Sequence, residues 1–394
     1  LSSAALARRL EPNFTGVEMT TQLLDSQAYG RLLALRDLTD AALGPHAMQL
    51  LVQQALGALR AAWNCPIVVY RSPPVVPSTD NYDDLGYPPD GASRDARYTR
   101  YLTPELLLRT QTSAMVPRAL RMIASAHYEN VLLACPGLTY RRDAIDRLHV
   151  GEPHQLDLWR ISQRPLTRDD LVAMIETVAS AMLPGVPLRL EPAVHPYTLD
   201  GLEVHGNVQG RWVEILECGR AHPELLASAG LGSESASGLA MGIGLDRMLM
   251  LRKGIDDIRA LRSTDPRIQA QMLDLEPYRA VSSQPPIYRD LSVAVAEEAS
   301  AEELGDRVRS SLAAASGSIE SVEVLSETSY LELSLAARRR LGISPRQKNV
   351  LLRLVVRDLE RTLTSAEANE LRDAVYAVLH EGSVRTWASK EMQL

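Results

Sequence analysis

The chain has 394 residues, 45% of them hydrophobic and 23% charged, enough to bury a large core and to form two or three domains. A formal net charge of -7 excludes whole-chain attraction to nucleic acid, so any basic contact surface has to be local. The three cysteines, Cys65, Cys135 and Cys218, are too scattered for a C-x-x-C site or a disulfide framework, and no run of 18 apolar residues suggests a membrane span.

The opening Leu1 to Leu10 is rich in Arg, Ser and Ala and free of acids, the character of a transit peptide, although its shortness favours a surface helix. From Thr20 to Trp63, leucines at helical spacing (Leu23, Leu24, Leu32, Leu33, Leu35, then Val52, Leu56, Leu59) predict helices. Pro66 to Tyr70 is a short β-branched strand pattern, followed by a long irregular loop punctuated by Pro73, Pro74, Pro77, Gly86, Pro88, Pro89 and Gly91.

Residues 201–207 and 211–217 read as an antiparallel hairpin about a turn at Val208 to Gly210. Strict alternation places Trp212, Glu214 and Leu216 on one face and Val213, Ile215 and Glu217 on the other. Gln284-Pro285-Pro286-Ile287 reads as a boundary. Beyond it, strands at 291–295, 319–325, 349–357 and 383–387 alternate with helices at 301–315 and 364–380, the order βαββαβ of a ferredoxin-like unit. Thr364 and Glu367 form a capping box at the second helix. Between Arg338 and Arg361 lie seven arginines and Lys348, read first as a solvated loop and strand face.

Two motifs carry the chemistry. Tyr140-Arg141-Arg142-Asp143 is followed by His154-Gln155-Leu156-Asp157, and Gly242-Ile243-Gly244-Leu245-Asp246-Arg247 comes much later. An aromatic-Arg-x-acid turn and a distant Gly-x-Gly-x-acid-Arg segment resemble the way class II aminoacyl-tRNA synthetases set two arginines on one ATP. The third glycine and downstream acid of a dinucleotide fingerprint are missing.

In consistent order, Asn81 to Leu85, Pro104 to Ser113, Cys218-Gly219 with His222-Pro223, Gly254 to Arg259 and Glu360 to Thr364 are also similar to phenylalanyl-tRNA synthetase, in its bacterial alpha chain and single-chain organellar forms. The resemblance implies an α+β protein: a helical region at 1–65, a class II catalytic domain with an antiparallel sheet and flanking helices at 66–280, and a ferredoxin-fold anticodon-binding-like domain at 284–390. It also implies amino-acid activation with ATP and Mg²⁺, transfer to tRNA, a cytoplasmic monomer or homodimer, and no membrane partner.

The resemblance assigns Arg141 to the α-phosphate and substrate carboxylate, and Arg247 to the γ-phosphate side and adenine. Asp143, Pro153 and Gly244 complete the nucleotide set, and Glu214 is the candidate Mg²⁺ ligand. Gln111, Ser113, Gln155 and Asp157 would hold the α-amino group end. His195, Tyr197, Ala240 and Met241 would form the side-chain pocket, and Arg346, Lys348 and Arg353 would contact tRNA. His149 and His154 match family histidines.

Where the family meets a phenyl ring with Phe-Pro-Phe, this chain has His195-Pro196-Tyr197, and Glu217 replaces a glycine. Buried polar groups without partners oppose a plain phenyl ring. Altered side-chain selection is therefore expected. The competing expectations are an activating paralogue with a non-tRNA acceptor and a non-catalytic tRNA-binding regulatory protein.

Overall fold

The computed structural model describes residues 23–208, 210–232, 236–281 and 285–385. Leu1 to Leu10, Gln209 of the hairpin turn, Gln284 and Trp387 lie outside the described residues. Among the described residues, twelve strands run in chain order: β1 Ile67–Val69, β2 Val75–Pro77, β3 Leu106–Leu108, β4 Asn130–Leu138, β5 His154–Ser162, β6 Leu188–Pro192, β7 Thr198–Val208, β8 Arg211–Ala221, β9 Ser237–Gly244, β10 Ile287–Ala296, β11 Ile319–Ser329 and β12 Gln347–Val356.

A seven-stranded sheet in the order β1-β4-β5-β9-β8-β7-β6 forms the centre. It is mixed, because β1 runs parallel to β4 while the other neighbours are antiparallel. Its central strands are apolar on both faces because both faces are covered. Leu132, Ala134, Leu156, Leu158 and Met241 pack with the helices Ala47–Trp63 and Arg168–Met182. Val131, Leu133, Cys135, Trp159 and Ala240 pack with the helix Val116–Ala126 on the opposite side.

The proline-rich stretch after β1 is more structured than an irregular loop. β2 pairs with β3, and the short helix Ser78–Asn81 follows β2 directly. Asn81 is fully buried and exchanges hydrogen bonds with Thr110, receiving from its N–H and donating to its hydroxyl. These partners are remote in sequence, which is why local punctuation signals did not reveal them.

The C-terminal unit is a three-stranded antiparallel sheet, β10-β12-β11, with the helices Ala301–Leu312 and Ser365–Leu379 packed on its own core of Leu291, Val293, Val308, Leu352, Leu354 and Val375. The capping box of Thr364 and Glu367 is present. Residues 383–385 are not a strand, and an additional helix, Leu335–Leu341, occupies part of the arginine-rich stretch read as a loop. Ser334 caps its start and Gly342, at φ 60°, closes it in the left-handed conformation that glycine adopts readily.

Candidate active site

The first functional segment is an extension of a ladder. β4 pairs antiparallel with β5, and backbone hydrogen bonds continue past the strand ends, from Thr139 N–H to the Pro153 carbonyl (2.9 Å) and from Arg141 N–H to the Gly151 carbonyl (2.8 Å). Arg141 thus leaves a hairpin stem at the edge of a cavity of about 390 Å³, within the range of small-molecule sites. Its Nε lies 3.2 Å from Asp143 Oδ2.

The second segment enters from β9, which lies between β5 and β8. Gly244 ends that strand and caps the helix Leu245–Lys253, whose first turn carries Asp246 and Arg247. Buried Asp246 accepts from the His154 backbone N–H and from His154 Nδ1 (3.1 Å), while His154 Nε2 accepts from the Leu38 N–H (3.0 Å). This fixes a neutral imidazole protonated at Nδ1, a bracket rather than an acid or base.

Arg247 points into the cavity, with Nη1 3.6 Å from Glu214 Oε2 and Nη2 donating to His149 Nε2 at 3.4 Å. His149 in turn contacts Asp146 through Nδ1 (2.7 Å), and that hydrogen bond raises its pKa.

Strict alternation along β8 fails. Leu216 pairs with Val204 but Glu214 pairs with His205, so Ile215 is an extra residue in the ladder. The bulge brings Glu214 and Glu217 to the same cavity, where alternation would have separated them. Burial raises the pKa of Glu214; its hydrogen bond with His195, at 3.2 Å, lowers that of Glu217.

At the other wall Asp157 is buried and has no cationic partner among the described residues. Its carboxylate accepts from Thr112 Oγ1 (2.6 Å), Ser113 Oγ (2.9 Å) and Trp159 Nε1 (3.2 Å). Desolvation raises its pKa against the pull of those donors. Gln155 lies beside it, its Oε1 accepting from the Thr112 N–H (3.1 Å), and Tyr87 Oη donates to Gln111 Oε1 (3.1 Å).

Gln111, Ser113, Arg141, Asp143, Pro153, Gln155, Asp157, Tyr197, Glu214, Gly244 and Arg247 therefore meet around one cavity, with His149, His154 and Glu217. His195 does not line it but backs it, stacked on Tyr197 at 6.1 Å between ring centroids. Ala240 is buried opposite Trp159, and Met241 belongs to the far face of the sheet; neither lines the cavity. Arg346, Lys348 and Arg353 lie on the C-terminal unit, where Lys348 pairs with Glu327 (2.9 Å) and Arg353 with Asp290 (2.9 Å).

Sequence reasoning did not single out Thr112, Trp159 or Tyr87. Trp159 was detectable in principle, because it falls two residues after Asp157 and so shares its side of the strand.

Among the described residues no group of three or more His, Cys, Asp or Glu is arranged to hold a metal ion by itself. Mg²⁺ carried on a triphosphate needs only one or two protein carboxylates, a demand that Glu214 fits.

Residues 67–272 match the family described as tRNA synthetases class II core domain (F). The chain is 35% identical over 191 residues to the phenylalanine--tRNA ligase alpha subunit of Prochlorococcus marinus (strain NATL2A), across 48% of this chain and 56% of that one. It is 33% identical over 216 residues to the alpha subunit of the same name from Bacillus licheniformis, across 52% and 62%. The chain thus spans little more than half the length of these curated relatives. A solved pyrrolysyl-tRNA synthetase from Desulfitobacterium hafniense aligns with a TM-score of 0.45 at 19% identity, over 60% of this chain and 80% of that one.

Proposed function

Because the chain belongs to the class II aminoacyl-tRNA synthetase core family, with a match over residues 67–272, we propose that it is an AMP-forming ligase that activates an amino acid and transfers it to tRNA. The observation that carries this reading is convergence. Arg141 and Arg247, from elements far apart in sequence, line the same cavity as a buried carboxylate, Asp157, that has no cationic partner among the described residues.

An amino acid enters with its ammonium on Asp157, Ser113 and Gln155 and its carboxylate toward Arg141. One carboxylate oxygen attacks the α-phosphorus of ATP, and the bond to the bridging oxygen breaks. The electron pair leaves on pyrophosphate, and no proton moves. Catalysis of this kind is positioning and charge stabilisation: Arg141 neutralises the α-phosphate and Arg247 the departing end. Asp143 keeps Arg141 extended from the turn, and Asp246 with His154 joins the helix of Arg247 to β5. Pro153 and Gly244 give the nucleotide flat, close-approaching walls. Glu214 is the residue to hold Mg²⁺, which supplies charge neutralisation on the triphosphate.

In the same reading, residues 66–280 are the catalytic domain, preceded by the helical region. The unit at 284–390 acts as a ferredoxin-like anticodon-binding domain, with Arg346, Lys348 and Arg353 toward phosphates. The protein works in the cytoplasm as a monomer or homodimer.

The test is amino-acid-dependent ATP–pyrophosphate exchange. Arg141→Ala and Arg247→Ala are each expected to reduce it more than a hundredfold with circular dichroism unchanged. Near-normal exchange in both variants overturns the site.

A further inference from the structure

The selectivity of this site follows from how its apolar floor is filled. Trp159 is fully buried, opposite Leu133 on β4 and Ala240 on β9, with its ring 6.0 Å from that of Tyr197. Tyr87 closes the other side of Tyr197 at 6.4 Å. The protein's own rings thus occupy the space beneath the His195–Tyr197 segment. Around the acids, the polar side chains on the cavity wall are Gln111, Ser113, Gln155 and Tyr197, while Ile215, Leu216 and Ile243, which also line it, belong to the core packed with the helices Ala47–Trp63 and Arg168–Met182. An aromatic substrate side chain beside Asp157 would meet mainly polar groups there.

Two carboxylates face each other across this polar space. Gly242 on β9 is paired with Asp157 on β5 and with Glu217 on β8. The two acidic positions are thus two strand spacings apart, roughly 10 Å between backbones before their side chains reach inward. A Cβ at Gly242 would meet nothing within 4 Å, so the floor between the acids is open. Asp157 is held by three neutral donors and no cation. Glu217 accepts through Oε2 from His195 Nε2, and its side chain remains 46% exposed. A carboxylate accepts several hydrogen bonds, so Glu217 retains acceptor capacity toward the cavity.

We propose that the amino acid taken by this site is short, non-aromatic and doubly cationic, an α,β- or α,γ-diamino acid, with its α-ammonium on Asp157 and its side-chain ammonium on Glu217. This rests on the adenylation reading for the orientation of the substrate. Selection then comes from a charge pair on one side and from Trp159 excluding rings on the other. His195 positions Glu217 and does not itself meet the substrate.

Calorimetric binding without ATP tests it, with 2,3-diaminopropionate, 2,4-diaminobutyrate, alanine and phenylalanine titrated into the full chain and into Glu217→Gln. One of the two diamino acids is expected to bind at least tenfold tighter than alanine, and Glu217→Gln is expected to bring that ratio within threefold of unity. Phenylalanine is expected to bind more weakly than either diamino acid. Phenylalanine binding tightest, or a diamino preference below threefold in the wild type, overturns the proposal. So does a preference that survives in Glu217→Gln. Pyrophosphate exchange is read separately: selective diamino-acid binding without exchange leaves this inference standing and removes the adenylation reading instead.

Discussion

Under the proposed reading, Asp157 is a single side chain held for binding at the expense of stability. Desolvation raises its pKa from the ordinary carboxylate value, and its hydrogen bonds from Thr112, Trp159 and Ser113 only partly offset that. A carboxyl raised in the folded state destabilises the fold above its folded pKa, and the penalty is relieved as pH falls through that value. Ligand affinity runs the opposite way, because only the ionised form neutralises an ammonium. Amino-acid affinity is therefore expected to weaken as pH falls through the raised pKa of Asp157, a trend measurable by calorimetry from neutral pH downward. Asp157→Asn is expected to weaken amino-acid binding by about 2 kcal/mol or more, roughly thirtyfold, as for truncation of a buried charged partner. Its melting temperature at neutral pH should not fall. A variant that binds normally would show that the ammonium lies elsewhere.

At the scale of elements, the site depends on how strands and helices end. His46 caps the helix Ala47–Trp63, its Nδ1 accepting from the Met48 N–H (3.2 Å) and its Nε2 donating to the Leu261 carbonyl (3.2 Å). Burial pushes its pKa down to about 4 from 6.5. The neutral form is the folded one, so its stabilisation is complete above pH 6.5 and is lost as pH falls from there toward 4. By linkage the loss at pH 5 is about 2 kcal/mol, measurable by urea denaturation at pH 7 and pH 5. His46→Gln should flatten that difference.

Such ends were legible in sequence where the signal was local: the Thr364 and Glu367 box, the strand at Ile67–Val69, and the turn at Arg141 to Asp143; the strand-to-helix transition at Gly244 was not read. The bulge at Ile215 was not legible, because alternation carries no mark for an inserted residue, and it alone decides that Glu214 and Glu217 meet. The helix Leu335–Leu341 was missed because Arg338 to Arg340 read as solvated charge. Arg338 instead lies over the Tyr330 ring at 4.3 Å and donates to the Leu331 carbonyl.

At the scale of the whole molecule, the C-terminal unit grips the turn that presents Arg141. Arg100, only 3% exposed at its side chain, bridges Glu152 (2.5 Å) in the stem of that turn and Asp306 (2.6 Å) on the helix Ala301–Leu312. Arg142 reaches the same Asp306 at 3.3 Å, and Arg309 donates to the carbonyls of Asp143 and Ala144. Ile145 packs into the C-terminal core, and its carbonyl accepts from the Val322 N–H at 2.9 Å. No local pattern could announce these contacts, since they join residues that only the finished fold brings together. Their geometry couples the C-terminal unit to the Arg141 end of the cavity, where the proposal places the nucleotide. Removing Asp306 takes away an acid shared by Arg100 and Arg142, while Arg100 keeps its pairing with Glu152. Breaking a buried pair from one side costs about 3–5 kcal/mol. Asp306→Ala is expected to lower the melting temperature and, because the turn of Arg141 and Asp143 loses its backing, to raise KM for ATP several-fold in pyrophosphate exchange, with KM for the amino acid changed less. A stability loss with both KM values unchanged would confine the network to holding the two units together; equal increases in both would place its effect on the whole cavity rather than on the turn.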